Sequence, residues 1–142
     1  MKTPLWSPSK QQIASTLLTQ FAAHAGQIAG RDLSQYDDMW DWSVQDKDAF
    51  WSTFWDFADV IGHKGTMTLS NGDYVKNAKF FPEAKLNYAE NQLRQTGAGD
   101  ALVFCAETGD RMAWSWDQLQ QLVSSMQQAL RANGLAVGYR VA

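Results

Sequence analysis

Cysteine is almost absent from this sequence: Cys105 is the single one among 142 residues, so no intrachain disulfide can form. Histidine is scarce too. His24 and His63 are the whole supply, and neither has a Cys or His partner at the spacing of a zinc site. Charge of one sign is also lacking, with twelve Lys and Arg against fifteen Asp and Glu and a net charge of −3. That balance gives no basic field to draw in nucleic acid or an anionic membrane. No apolar run approaches the ~20 residues that cross a bilayer. Residues Met1-Lys2-Thr3-Pro4-Leu5-Trp6 lack the apolar stretch and small-residue cleavage site of a signal peptide. No Asn-x-Ser/Thr sequon occurs. Together these absences predict a reducing, cytoplasmic setting.

Tryptophan, by contrast, is plentiful. Of seven in the chain, five fall between Trp6 and Trp55. Such residues anchor helix packing and interfaces, or stack on a ligand. Packing is the ordinary use unless the rings are found on the surface.

The chain divides near residue 97. Residues 1–96 read as helical and irregular; residues 97–142 read as strand, strand, helix, strand. Ser7-Pro8 suits a helix start, Ile13, Leu17 and Phe21 recur on one face, and Gly26 suits a stop. Ser34 is the next cap, followed by a stripe of Tyr36, Met39, Trp40 and Val44. Asp46 caps a stronger helix, with Phe50, Phe54, Phe57 and Ile61 in one row and Trp51, Trp55 and Ala58 in an adjacent one. The two rows cover an arc wider than the usual amphipathic stripe of about 100°, so this helix wants partners on more than one flank. Ser52, Asp56 and Asp59 hold the opposite side. Asn71-Gly72 is placed to close a small hairpin between Thr68-Leu69 and Tyr74-Val75. Phe81-Pro82 predicts extended chain, because a residue before proline avoids the α region. Asn87 caps a short helix through Leu93, and Gly97-Ala98-Gly99-Asp100 is a loop.

Ala101-Leu102-Val103-Phe104-Cys105-Ala106 runs apolar without alternation, the pattern of a strand buried on both faces. Thr108-Gly109-Asp110 turns the chain so that Met112-Ala113-Trp114 can return beside it. Ser115-x-x-Gln118 is a capping box. Leu119, Leu122, Val123, Met126 and Leu130 make the strongest helical stripe, with Asp117 and Arg131 suiting the macrodipole. Asn133-Gly134-Leu135 is a C-terminal stop. Arg140-Val141-Ala142 reads as the start of another strand. A strand, a crossover helix and a second strand form a parallel unit that needs cover on both faces. The fold class is therefore α/β: a helical N-terminal layer, then the first strand–helix–strand unit of a domain left incomplete at residue 142.

Three stretches carry a resemblance: Pro4-Leu5-Trp6-Ser7-Pro8-Ser9; Trp40-Asp41-Trp42-Ser43-Val44 with Asp48-Ala49-Phe50-Trp51; and the run from Phe80-Phe81-Pro82-Glu83 through Leu86-Asn87-Tyr88-Ala89-Glu90-Asn91-Gln92-Leu93. Together they resemble the N-terminal region of acetoacetyl-CoA synthetases, relatives of acetyl-CoA synthetases in the adenylate-forming superfamily. Trp114-Ser115-Trp116-Asp117-Gln118-Leu119 and Gly138-Tyr139-Arg140-Val141-Ala142 resemble later elements of that superfamily. Phe80 and Tyr139 depart from its usual tryptophan and aspartate. The resemblance implies an acid–thiol ligase that uses ATP and Mg²⁺ to make an acyl-adenylate, which the coenzyme A thiolate then attacks. The family's phosphate loop, nucleotide contacts and lysine lie beyond the strand at Arg140. The resemblance thus assigns no catalytic, cofactor-binding or metal residue to this chain, which is expected to be inactive alone. It also implies that the rest of such an enzyme packs on the tryptophan-rich helices.

Other chemistry is weakly signalled. Gly62-His63-Lys64-Gly65 is too short for a phosphate loop and reads as a surface turn. Cys105, within its apolar run, reads as a buried and inert thiol. Asp37, Asp38 and Asp41 read as a solvated face. Trp40, Trp42, Trp51 and Trp55 are the one contender for binding. The alternative to the ligase reading is a small tryptophan-rich helical interaction module with no catalytic role.

Overall fold

The computed structural model describes residues 5–141. Met1 to Pro4 and Ala142, with the parts of the signal-peptide, opening-motif and last-strand readings that fall on them, lie outside the described residues. The chain forms two compact units, Met1–Asn87 and Tyr88–Ala142.

The first unit is built on four helices: Lys10–Ala14 (α1), Leu17–Ala29 (α2), Tyr36–Gln45 (α3) and Lys47–Phe57 (α4). Its opening helix starts later than Ser7-Pro8 predicts. Ser9 is the cap, its hydroxyl accepting from the Gln12 amide while the Gln12 side chain accepts from the Ser9 amide. That reciprocal pairing satisfies two N–H groups that Ser7 would leave open. Gly26 does not stop the helix; α2 runs on to Gly30, whose left-handed backbone (φ 67°) closes it. Gly26 is small for another reason, since a Cβ there would stand 2.9 Å from the Arg31 carbonyl oxygen folding back over it. Ser34 does not cap α3, because its N–H and hydroxyl both donate to the Asp32 carboxylate. Gln35 holds the cap position without a side-chain bond. Asp46 does cap α4, accepting from the Ala49 amide at 3.1 Å.

Phe21, Ala25, Leu33 and Trp42 form the buried core, with Met39, Phe50 and Phe57 against it. Phe21 meets the rings of Phe50, Phe54 and Phe57 at 5.2–5.8 Å, so the first predicted row of α4 faces α2. Most of the stripe predicted for α3 is turned from the core: Met39 packs against it, but Tyr36, Trp40 and Val44 are exposed, and Trp42 is buried instead. Periodicity marks an apolar arc but not which edge of it meets a neighbour.

Beyond α4 come four two-residue strands, Gly62–His63 (β1), Leu69–Ser70 (β2), Lys79–Phe80 (β3) and Lys85–Leu86 (β4). β1 pairs with β4 and β2 with β3, both antiparallel. The predicted tight hairpin is therefore wider: Leu69 opposes Phe80, and Tyr74 and Val75 lie exposed in the connection. Phe81 is not extended. Its φ is +46°, held by its N–H donating to the Thr68 carbonyl at 2.7 Å and by its ring against Trp55. Tertiary contacts override the local preference of a residue before proline.

The second unit holds Tyr88–Gln92 (α5), Asp100–Cys105 (β5), Arg111–Ser115 (β6) and Trp116–Ala132 (α6). β5 and β6 form an antiparallel hairpin through Gly109 (φ 89°). Ser115 and Gln118 make the capping box. At the other end the Gly134 amide donates to the Arg131 carbonyl and the Leu135 amide to that of Leu130, with Gly134 left-handed at φ 81°. This is the paired closure that a C-terminal glycine permits. Asp117 also accepts from the Gly97 amide at 2.7 Å, and the Gln120 amide group donates to the carbonyls of Leu93 and Gln95, fastening the 93–97 segment to α6. Two expectations fail here. β5 is not buried on both faces: β6 pairs with one edge and α6 lies against the hairpin, yet Leu102, Val103 and Phe104 stay exposed. Arg140-Val141 is not a strand among the described residues, since no described strand pairs with it.

Candidate functional site: the aromatic face of the first unit

The four candidate tryptophans sit on α3 and α4 but do not converge. Trp42 is buried with its ring 5.7 Å from Phe50. Trp51 meets Phe50, Phe54 and Phe80 at 5.2–6.0 Å. Trp55 lies 4.7 Å from Phe81. Trp40 alone is exposed, at 53%. Such rings fill the space between elements, and edge-to-face pairs add about 0.5–1.5 kcal/mol each beyond burial. The second row of α4, whose partner was open, is thus covered by Phe80 and Phe81 of the same unit.

Residues 62–66 and 79–86 lock together under this row. The Glu83 Oε2 accepts from the Thr66 amide at 2.8 Å and from its hydroxyl at 2.9 Å. Those two bonds, with a smaller contribution from the Met67 amide, hold the Glu83 carboxyl below its ordinary value. Lys64 donates to both oxygens of Asp56 and to the Ser52 carbonyl, so the polar back of α4 is pinned too. A Cβ on Gly65 would stand 2.7 Å from that of Glu83, and one on Gly62 2.7 Å from that of Leu86. The space a phosphate would need at Gly62–Gly65 is filled by protein. The Thr66–Glu83 pair has no local sequence signal, because the two residues are 17 positions apart.

The remaining candidates are scattered. His24 packs beside Phe57, and His63 lies in β1. Asp37 and Asp38 occupy the exposed first turn of α3, with Asp41 half-buried. Cys105 is exposed, which removes the burial argument for an inert thiol. Among the described residues no three His, Cys, Asp or Glu side chains gather as metal ligands. A groove of about 450 Å³ on the first unit is lined by apolar residues such as Trp6, Ile13, Leu33 and Met39 with neutral polar ones such as Thr16 and Thr19, and carries no charged side chain.

The segment that holds the aromatic face also carries a family match. Residues 36–92 match the family model described as the acetyl-coenzyme A synthetase N-terminus, which spans α3, α4, the short strands and α5. The chain is similar over nearly its whole length to the N-terminal region of acetoacetyl-CoA synthetases. It is 45% identical over 139 residues to that of Rhizobium meliloti (strain 1021), covering 98% of this chain and 21% of that protein. It is 29% identical over 142 residues to that of Macaca fascicularis, covering 96% and 21%. The solved acetoacetyl-CoA synthetase from Streptomyces lividans superposes with a TM-score of 0.78 at 34% identity, covering 99% of this chain and 22% of that one. The chain spans about a fifth of the length of the curated relatives it matches.

Proposed function

We propose that this chain is the N-terminal scaffold of an acetoacetate–CoA ligase, which as a whole converts ATP, acetoacetate and coenzyme A to acetoacetyl-CoA, AMP and pyrophosphate. The observation that carries this reading is the 45% identity to an acetoacetyl-CoA synthetase across 98% of the chain. Nothing among the described residues is assigned to ATP or Mg²⁺: the turn at Gly62–Gly65 is filled by Leu86 and Glu83, and no three His, Cys, Asp or Glu side chains gather as metal ligands among the described residues. No step of the reaction is therefore assigned to this chain. Its role is to present apolar surface. The exposed row Tyr36, Trp40 and Val44 on α3 is the docking face for the rest of the enzyme. The single cysteine and the lack of any described helix long and apolar enough to cross a membrane suit a cytoplasmic setting.

The tryptophan-rich interaction module is the weaker reading, because Trp42, Trp51 and Trp55 are occupied by the chain's own phenylalanines. A chimera tests the scaffold reading. This chain replaces the matching N-terminal region of the Rhizobium meliloti enzyme, and acetoacetate-dependent AMP release is measured with ATP, Mg²⁺ and coenzyme A. Activity within about tenfold of the parent is expected, with the 142-residue chain alone at background. A folded but inactive chimera, or AMP release by the chain alone, overturns the proposal.

A further inference from the structure

We infer that residues 79–86 form a strap that opens locally over the tryptophan row of α4 while the helical core stays folded, with the Glu83–Thr66 contact as its latch. The fastenings are few and lie near the surface. β3 and β4 contribute two residues each, the Phe81 amide reaches the Thr68 carbonyl, and one Glu83 oxygen takes both bonds from Thr66, with a lesser one from the Met67 amide to the same carboxylate. Phe80 is 48% exposed even when seated. Segments with so few buried contacts open at lower free energy than the global fold.

Strain acts in the same direction. Phe81 holds a left-handed backbone at φ +46°, unfavourable for a bulky residue and again for one that precedes proline. Such a conformation persists only while its surroundings impose it. Releasing the latch next to it lets Phe81 relax to the extended form that its sequence prefers. The core of Phe21, Ala25, Leu33 and Trp42 contains no strap residue, so lifting the strap leaves it intact. What the motion uncovers is specific: Trp51 loses Phe80 and Trp55 loses Phe81. The strap is thus a removable cover over an aromatic face.

Native-state hydrogen exchange on the 142-residue chain tests this, comparing the Phe81 amide in the strap with the Ala25 amide in α2. In the unsubstituted protein, Phe81 is expected to be protected at least tenfold less than Ala25. Glu83→Ala and Thr66→Val each lower Phe81 protection a further three- to tenfold with Ala25 unchanged, and acrylamide quenching of tryptophan rises in parallel. Equal protection at the two amides in all three proteins overturns local opening. Low Phe81 protection that neither variant alters overturns the latch.

Discussion

The two units use the same kinds of side chain in opposite ways. In the first, aromatic residues meet one another: Phe21 sits among three phenylalanine rings and α4 is covered on two flanks. In the second, an equally apolar set stays open. Leu102, Phe104, Met112 and Trp114 on the hairpin and Leu122, Val123 and Met126 on α6 are all exposed, and no described residue of that unit is buried. The first unit is held by packing. The second is held by hydrogen bonds that close its helix and its turns, each contributing modestly. The difference teaches that sharp local signals are not the same as a core.

The largest expected effect tests that contrast directly. Phe21→Ala removes a buried ring and leaves a cavity among its partners, so the first unit should lose about 3–5 kcal/mol. Phe104→Ala removes a ring of the same size from an exposed face and should cost under about 0.5 kcal/mol, as surface changes do. Urea unfolding followed by tryptophan fluorescence and far-UV circular dichroism measures both. Comparable losses from the two substitutions would mean that the second unit is packed after all.

The same contrast explains what the sequence made legible. The start and stop of α6 were readable because the groups that set them, Ser115 with Gln118 and Asn133 with Gly134, are neighbours in the chain. Asp46 was readable for the same reason. Gly26 misled because the chain folds back over it at Arg31, and Ser34 because a competing local acceptor, Asp32 two residues earlier, takes its hydroxyl. Phe81 misled because its backbone is imposed by Thr68 and Trp55, distant in sequence. Trp42 was named with its neighbours, but periodicity could not say that it alone of the α3 aromatics would be buried. The apolar run at Cys105 predicts what surface a strand offers, not whether anything covers it. The candidate site was least legible, since the Thr66–Glu83 contact joins two ordinary polar residues with no motif between them.

An intermediate effect is expected where the second unit depends on its cap. Ser115→Ala deletes the acceptor for the Gln118 amide and should cost about 1 kcal/mol. With no buried side chains to compensate, that loss should appear as fraying of the first turn of α6. It is read from the backbone chemical shifts of Trp116 to Leu119, with those of α2 unchanged as the internal control. A matching shift change in α2 would break the view that the two units respond separately.

The smallest effect is acid sensitivity, and it belongs to the first unit. The bonds from Thr66 lower the Glu83 carboxyl below its ordinary value of 4.5, and those from Ser34 lower Asp32 below 3.8. A carboxyl whose folded value is depressed contributes its stability in full above the unfolded value. That contribution fades as pH falls through the folded value, because the unfolded chain takes up the proton first. Both groups are exposed, so solvent screens them and the effect is slight. The difference in urea midpoint between the unsubstituted protein and Glu83→Gln should therefore be constant from pH 7 to 5 and shrink below about pH 4.5. A difference that stays level down to pH 3 would mean that the charge on Glu83 does nothing for the fold. The contact would then act only through its shape.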